Sequence, residues 1–542
     1  MPAHTGTTGV VTVLKRVRSA ARSMLAAAAL CVCPVSLLAQ QAQAPSSPGT
    51  SSPATTPNVT VVEEVDTHMS KDQAKALFKS VDEVLGFVAT DSHLKATRPV
   101  KRRLLTRPEV NKQLMARMQE DEGAQRLERS ELVLKKFGLI ERDFHLQPFL
   151  LSLLTEQVAA FYDAKTRTVN MLDWIKPDEQ KPVLAHELTH AVQDDHVPLA
   201  KWGSPAPTAI AKNVREDNEH IQLDEASTSR ESVTEGQAMA VFIDYELQPL
   251  GKSLKDSPEF GLRAQEMASD TTGSPILSRA PLLLQESLLF PYSAGLAFEQ
   301  VVLKSGGVDA AFAGTLDRPP TSTHEVMHPE VYLAKTPVPA LNMPDVHGLL
   351  DKDWDPYDVG VMGELDVRIL TELFGGRAIA APLAVAWDGG IYYAAQKKSA
   401  TAQEKTSPGS IGIVYYSQWK NQDSARSFLK IYAGALARKY RRLKPVETPG
   451  GDQNHLLFST EEGDVWLSLN DAGGVFISEG FDRDTAKKLE EMYRDVQGHG
   501  PQLQAVGTRQ TELTLGLRSL LPGLGMPKAV VDSMRCAALS AK

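Results

Sequence analysis

The chain has 542 residues, 42% of them hydrophobic and 23% charged, with 58 basic against 67 acidic side chains and a formal net charge of −9. This is ordinary globular composition, long enough for two or more domains and a sizeable core. An acidic balance disfavours a nucleic-acid partner or stable adhesion to an anionic membrane.

At the N-terminus, Lys15, Arg16, Arg18 and Arg22 precede an apolar run from Leu25 to Ala39 that contains Pro34. Small-residue sites follow, so residues 1–44 read as an export signal too short to span a bilayer comfortably. The mature chain is then expected to be periplasmic or extracellular, meeting the membrane only in transit. Cys31 and Cys33 leave with the leader, and Cys536 alone cannot form an intramolecular disulfide. Residues 45–60 are rich in Pro, Ser and Thr without apolar periodicity, as a disordered linker would be.

The fold is expected to begin near Val61. Ala74, Leu77, Phe78, Val81, Val84 and Leu85 share one helical face, and a second long helix is predicted from about Pro108 to Phe137, stopped by Gly138. The segment "EQVAAFYDAKTRTVNMLDW" places β-branched and aromatic residues around a polar turn at Asp163 to Thr166, which predicts a hairpin. Pro182 suits the first turn of the next helix. A polar stretch from Ser204 to Asp224 leads into the strong helical segment "EASTSRESVTEGQAMAVFIDYELQPL", and more helix is predicted between about Pro281 and Lys304. The texture changes around Asp351 to Gly360. From Ala378 to Val496 two rounds of strands, each followed by a helix, predict an α+β domain. Residues after Gly500 carry no readable pattern.

The segment "LAHELTHAVQDD" carries the chemistry. Residues four apart on a helix lie one turn apart on the same face, so His186 and His190 can present both imidazoles to one ion. Glu187 is offset by about 100 degrees, which lets it reach a water on that ion without ligating it. Imidazole ligands suit Zn2+, and a catalytic site keeps three protein ligands and one position for water. The competing reading is a solvated helical face, against which Leu184, Leu188, Ala191 and Val192 supply an apolar stripe. The third ligand is expected on the later helix. Glu235 in "TEGQA" comes first, because Gly236 and Ala238 would permit close approach of the His186 helix. Glu231, one turn earlier, comes next. If Glu235 ligates, Glu231 or Asp224 could accept a hydrogen bond from a ligating histidine.

The segments "HELTHAVQDDH", "ESVTEGQAMA", "FPYSAGLAFEQVVLKSGG" and "RPPTSTHEVMHPEVYL", in that order, resemble a widespread group of exported bacterial H-E-x-x-H proteins with a gluzincin-like metallopeptidase core. The resemblance extends to "QVAAFYDAKTRTVNML" and, more faintly, to "WDGGIYYAAQ" and "YYSQWKNQDSARSF", and so runs from about Val61 to Tyr440. Together with the strand and helix pattern it gives the expectation of an α+β chain: a mostly helical zincin-like domain at residues 61–350 with a small edge hairpin, then, from the pattern, a smaller α+β accessory domain at 351–500, with 501–542 unassigned. It further implies that His186, His190 and Glu235 bind zinc, that Glu187 is the general base, and that the hairpin at Val158 to Met171 aligns an extended peptide by β-addition. Ala160 and Ala164 stand where the group usually has Gly and Pro.

The expected activity is hydrolysis of a peptide or protein substrate by a zinc-activated water, with Glu187 as base. His328 in "EVMHPE" and Tyr292 in "FPYSAG" are candidate donors to the oxyanion. The alternative is a zinc-holding, non-catalytic binding or scaffold protein of the cell envelope. In the later domain Trp387, Tyr392, Tyr393, Tyr415, Tyr416 and Trp419 are expected to build a sheet core rather than a binding face.

Overall fold

The computed structural model describes residues 68–494, apart from 119–120, 204–208, 260, 263–270, 272–273 and 448–453, together with 496, 500, 501 and 530. The expected leader, linker and nearly all of the tail lie outside the described residues. Among the described residues no helix is long and apolar enough to cross a membrane.

Helix α1 (Lys71–Ser92) starts where Ser70 and Gln73 satisfy each other's backbone N–H groups in a capping box. Leu77, Val81, Val84 and Val88 form its buried stripe. After strand β1 (Lys101–Leu105), α2 (Arg107–Met118) and α3 (Asp121–Phe137) occupy the span expected to be one helix. The stop at Gly138 is as predicted: its φ of 76° is open to glycine at little cost. Helix α4 (Leu146–Gln157) leads to the hairpin β2 (Phe161–Asp163) and β3 (Thr168–Leu172). The Asp163 carboxylate accepts the N–H groups of Lys165 and Thr166 and so builds the turn. Strand β1 pairs parallel to β3 and β2 pairs antiparallel to it, which leaves β2 at the edge of a three-stranded sheet.

Helix α5 (Pro177–His196) carries the H-E-x-x-H segment. It opens at Pro177, so Pro182 lies inside the helix rather than in its first turn. The polar stretch before Asp224 contains an unforeseen helix, α6 (Val214–Asp224), capped by the Asn213 side chain. Helices α7 (Ala226–Leu247) and α8 (Leu282–Asp309) follow, and the single turn α9 (Thr323–Met327) comes after them.

Strand β4 (Trp354–Val361), helices α10 (Glu364–Gly375) and α11 (Arg377–Ala384), strands β5 (Trp387–Lys397) and β6 (Ile411–Trp419) and helix α12 (Gln422–Lys439) form the next part of the chain. Strands β7 (Leu443–Val446), β8 (His455–Thr460), β9 (Gly463–Leu469) and β10 (Gly474–Glu479) precede helix α13 (Arg483–Tyr493). One antiparallel sheet results, in the order β4-β5-β6-β10-β9-β8-β7. The two rounds of strands and helix are therefore present, with β4, β7, α10 and α11 added. Trp387, Tyr393, Tyr415, Tyr416 and Trp419 are buried in the core, and Tyr392 is half-buried.

The chain is α+β. Its main hydrophobic cluster crosses residue 350 without interruption, from Leu77 through Leu188 and Leu296 to Leu370, Tyr415 and Phe428. Buried charge crosses it too: Lys136 on α3 meets Glu462 at 3.0 Å, and Arg142 donates to the Lys439 carbonyl at 2.8 Å. A buried ion pair of this kind is weak evidence for stability but fixes how the two parts dock, since either partner left alone is costly.

Candidate functional site

Helix α5 is buried on every side from Pro182 to Asp194, which is what a helix carrying apolar residues among its polar ones can tolerate only if each polar group finds a partner. His186 and Glu187 are fully buried, and His190 nearly so. The Glu187 carboxylate accepts the backbone N–H of Tyr162, on edge strand β2, at 2.7 Å. Two turns on, Asp194 accepts the Tyr162 hydroxyl at 3.1 Å and an Arg167 N–H at 2.6 Å. The hairpin is thus fastened to the motif helix at both ends of one residue.

Glu235, on α7, faces both imidazoles. Its Oε2 lies 3.0 Å from His186 Nε2 and 3.5 Å from His190 Nε2, and the three donor atoms fall within 4.8 Å of one another. Donors around a tetrahedral zinc with bonds of about 2.1 Å stand roughly 3.4 Å apart, so this set fits the ion. Glu231 is buried one turn earlier and is not in the cluster.

The histidine behind the cluster is oriented by an amide, not by a carboxylate. Gln193 Nε2 donates to the Thr234 carbonyl at 3.0 Å and to Gln237 Oε1 at 2.9 Å, which leaves Oε1 to face His190 Nδ1 at 2.8 Å. Neutral His190 would therefore carry its proton on Nδ1 and leave the Nε2 lone pair for an ion, the arrangement ligating histidines require. Gln237 in turn donates to the Ala311 and Phe312 carbonyls and to Thr315. Asp224, one of the expected partners, accepts the Val361 N–H at 2.8 Å instead.

Gly236 is expected to serve the approach of α5; the atoms nearest to it belong instead to α8. A Cβ there would stand 2.4 Å from the Gly295 backbone, and one on Gly295 would stand 2.2 Å from the Ser232 carbonyl. The two glycines let α7 and α8 touch, and this contact brings Tyr292, one turn before Gly295, into the site. Its ring stacks on His186 with centroids 6.1 Å apart and a tilt of 24°, and its hydroxyl hydrogen-bonds Glu235.

The electrostatics agree with a cation site. Burial opposes charge on His190, yet the neighbouring Glu235 outweighs it and lifts the imidazole to about 9. Burial opposes charge on Glu235 as well, but the two imidazoles hold it well below the usual carboxylate range. Burial, followed by Glu235, pushes the Tyr292 phenol far up, so it stays neutral and acts as a donor.

His328 lies elsewhere. Its Nε2 faces Glu364 at 2.9 and 3.1 Å, and His324 Nδ1 contacts the same carboxylate. Helix α9 is held at the start of α7, where Thr323 donates to Glu225. Glu235 is ten residues beyond Glu225 on that helix, and His328 groups with His324 and Glu364 rather than with His186, His190 and Glu235. The structure thus brings His186, His190, Glu235, Glu187 and Tyr292 together and leaves His328 out. Sequence reasoning missed Gln193, Gln237 and Tyr162. It also missed His324, although "HEVMH" repeats the H-E-x-x-H pattern and Gln193 stands at helical spacing from His190.

Set against known protein families, characterised proteins and solved structures, the chain matches none.

Proposed function

We propose that the chain is an exported zinc-dependent metallopeptidase, with residues 61–350 as a zincin-like catalytic domain and 351–500 as an accessory domain. The observation that carries this reading is the convergence of His186, His190 and Glu235 on one point while Glu187, the next residue of the same helix, is docked on an edge strand. A zinc ion held by those three residues would acidify a bound water and polarise a carbonyl.

The chain's own groups do the rest. Glu187 takes the proton of the attacking water and returns it to the leaving amine. The Tyr162 N–H fixes the Glu187 carboxylate, so the base does not rotate away. Gln193 holds the His190 tautomer and Tyr292 orients Glu235. This makes Tyr292 a positioning residue rather than the oxyanion donor. Because β2 is an edge strand, an extended peptide or protein segment adding to it would run past Glu187. Export rests on the basic and apolar leader alone.

A second reading is favoured by the burial of the site: with His186 and Glu187 at 0% exposure, the cluster could hold zinc in a non-catalytic binding or scaffold protein. Glu187→Gln separates the two. A variant that keeps its zinc and loses hydrolysis of a mixed peptide library supports the peptidase; wild type and variant equally inert with zinc bound support the scaffold.

A further inference from the structure

We infer that His324, His328 and Glu364 form a second divalent transition-metal site, distinct from the one on α5. Glu364 is the first residue of α10 and is 1% exposed, and its partners among the described residues are the two imidazoles, with no Lys or Arg. A buried carboxylate is costly unless it is paired with a charge or coordinates a metal. The two imidazoles, with ring centroids 4.5 Å apart, converge on this one carboxylate, and a cation shared by all three would satisfy every donor atom at once.

The donor geometry parallels the first cluster. All three donor atoms lie within 4.8 Å of one another; His328 Nε2, at 2.9 and 3.1 Å from the Glu364 oxygens, needs to move by only a few tenths of an ångström to admit zinc, and the closer His324 Nδ1 needs to move farther. Behind His328, Glu330 Oε1 stands 3.4 Å from Nδ1, the place of the carboxylate that commonly orients a ligating histidine. The ring of Trp387 borders His324 with centroids 6.4 Å apart. The His328 side chain is 22% exposed, so the ion would keep a water.

Glu325, the residue that corresponds to the base in the first cluster, does not face this one. Its Oε2 accepts the Thr321 N–H at 2.6 Å and the Thr321 hydroxyl at 2.8 Å. The second site is therefore a clasp between α9 and α10, across residue 350, and two histidines with one carboxylate select an ion of the zinc class over calcium or magnesium.

The test is equilibrium dialysis of the metal-stripped full chain against Zn2+ alone, with bound zinc counted by elemental analysis. Wild type should hold two equivalents, His324→Asn and Glu364→Gln one each, His186→Asn/His190→Asn one, and the triple variant none. Wild type holding one equivalent that survives His324→Asn overturns the second site; one equivalent lost in His324→Asn but kept in His186→Asn/His190→Asn upholds it while removing the first. If His324→Asn does not fold by circular dichroism, zinc must still raise the melting temperature of His186→Asn/His190→Asn, and no rise overturns the proposal.

Discussion

Two segments of this chain share the pattern H-E-x-x-H and use it differently. On α5 the pattern sits within a buried helix of 20 residues, and its glutamate is turned to the backbone of an edge strand beside the imidazoles. On α9 it occupies a helix of five residues, and its glutamate is spent on the turn that begins that helix. Helical spacing fixes only that the two imidazoles share a face. Whether the glutamate can act as a base is decided by what packs against the helix.

The sharpest way to break this contrast is to remove each glutamate in turn. Glu187→Gln should lower peptide hydrolysis by on the order of 10²–10⁴-fold with zinc content unchanged, whereas Glu325→Gln should leave hydrolysis at the wild-type rate. Equal losses in both variants would mean that the environment does not discriminate between them. Next in size is the histidine support. Gln193→Leu deprives His190 of its acceptor and should weaken zinc binding by about 10–100-fold in a chelator competition, with helix content retained.

Smaller effects concern the frame. Gly295→Ala forces a methyl against the Ser232 carbonyl and should cost about 1–3 kcal/mol in urea denaturation, together with some hydrolysis through displaced Tyr292. Gly348→Ala, at a position with nothing within 4 Å, serves as the neutral control.

Asp91 is lifted to about 7, chiefly by burial and then by Asp244. Its folded value exceeds its unfolded one, so stability is greatest below about 4 and declines as pH rises toward 7. Asp91→Asn should abolish that decline, with a gain on the order of 2 kcal/mol at pH 8 after discounting for partial exposure, and none at pH 3.5. A pH-independent gain would assign the effect to packing instead.

Much of this was legible in the sequence because it depends on local periodicity. The stripe of α1, the stop at Gly138, the hairpin around Asp163 and the alternation of strands and helices after Ala378 all follow from spacing along the chain. His186, His190 and Glu187 belong to the same class. Glu235 was separable from Glu231 only as a preference, since both lie on one face of α7 and the choice depends on how that helix crosses α5. The partner of Gly236 was misread for the same reason: a glycine announces a close contact without naming the neighbour. Strand β4 was hidden by Pro356 and Gly360, and its register shifts between Pro356 and Asp358. His324 escaped notice because one helical turn has no apolar periodicity to flag it, and Glu364 lies 40 residues farther on.

Metal content tests most directly whether α5 and α7 together build a zinc site. Wild type, Glu235→Ala and Glu231→Ala should be purified, supplied with zinc, dialysed and measured side by side. Loss of one equivalent in Glu235→Ala, with Glu231→Ala indistinguishable from wild type, is the expected result. Full retention by Glu235→Ala, or no zinc in wild type, would contradict the site and with it the hydrolase reading.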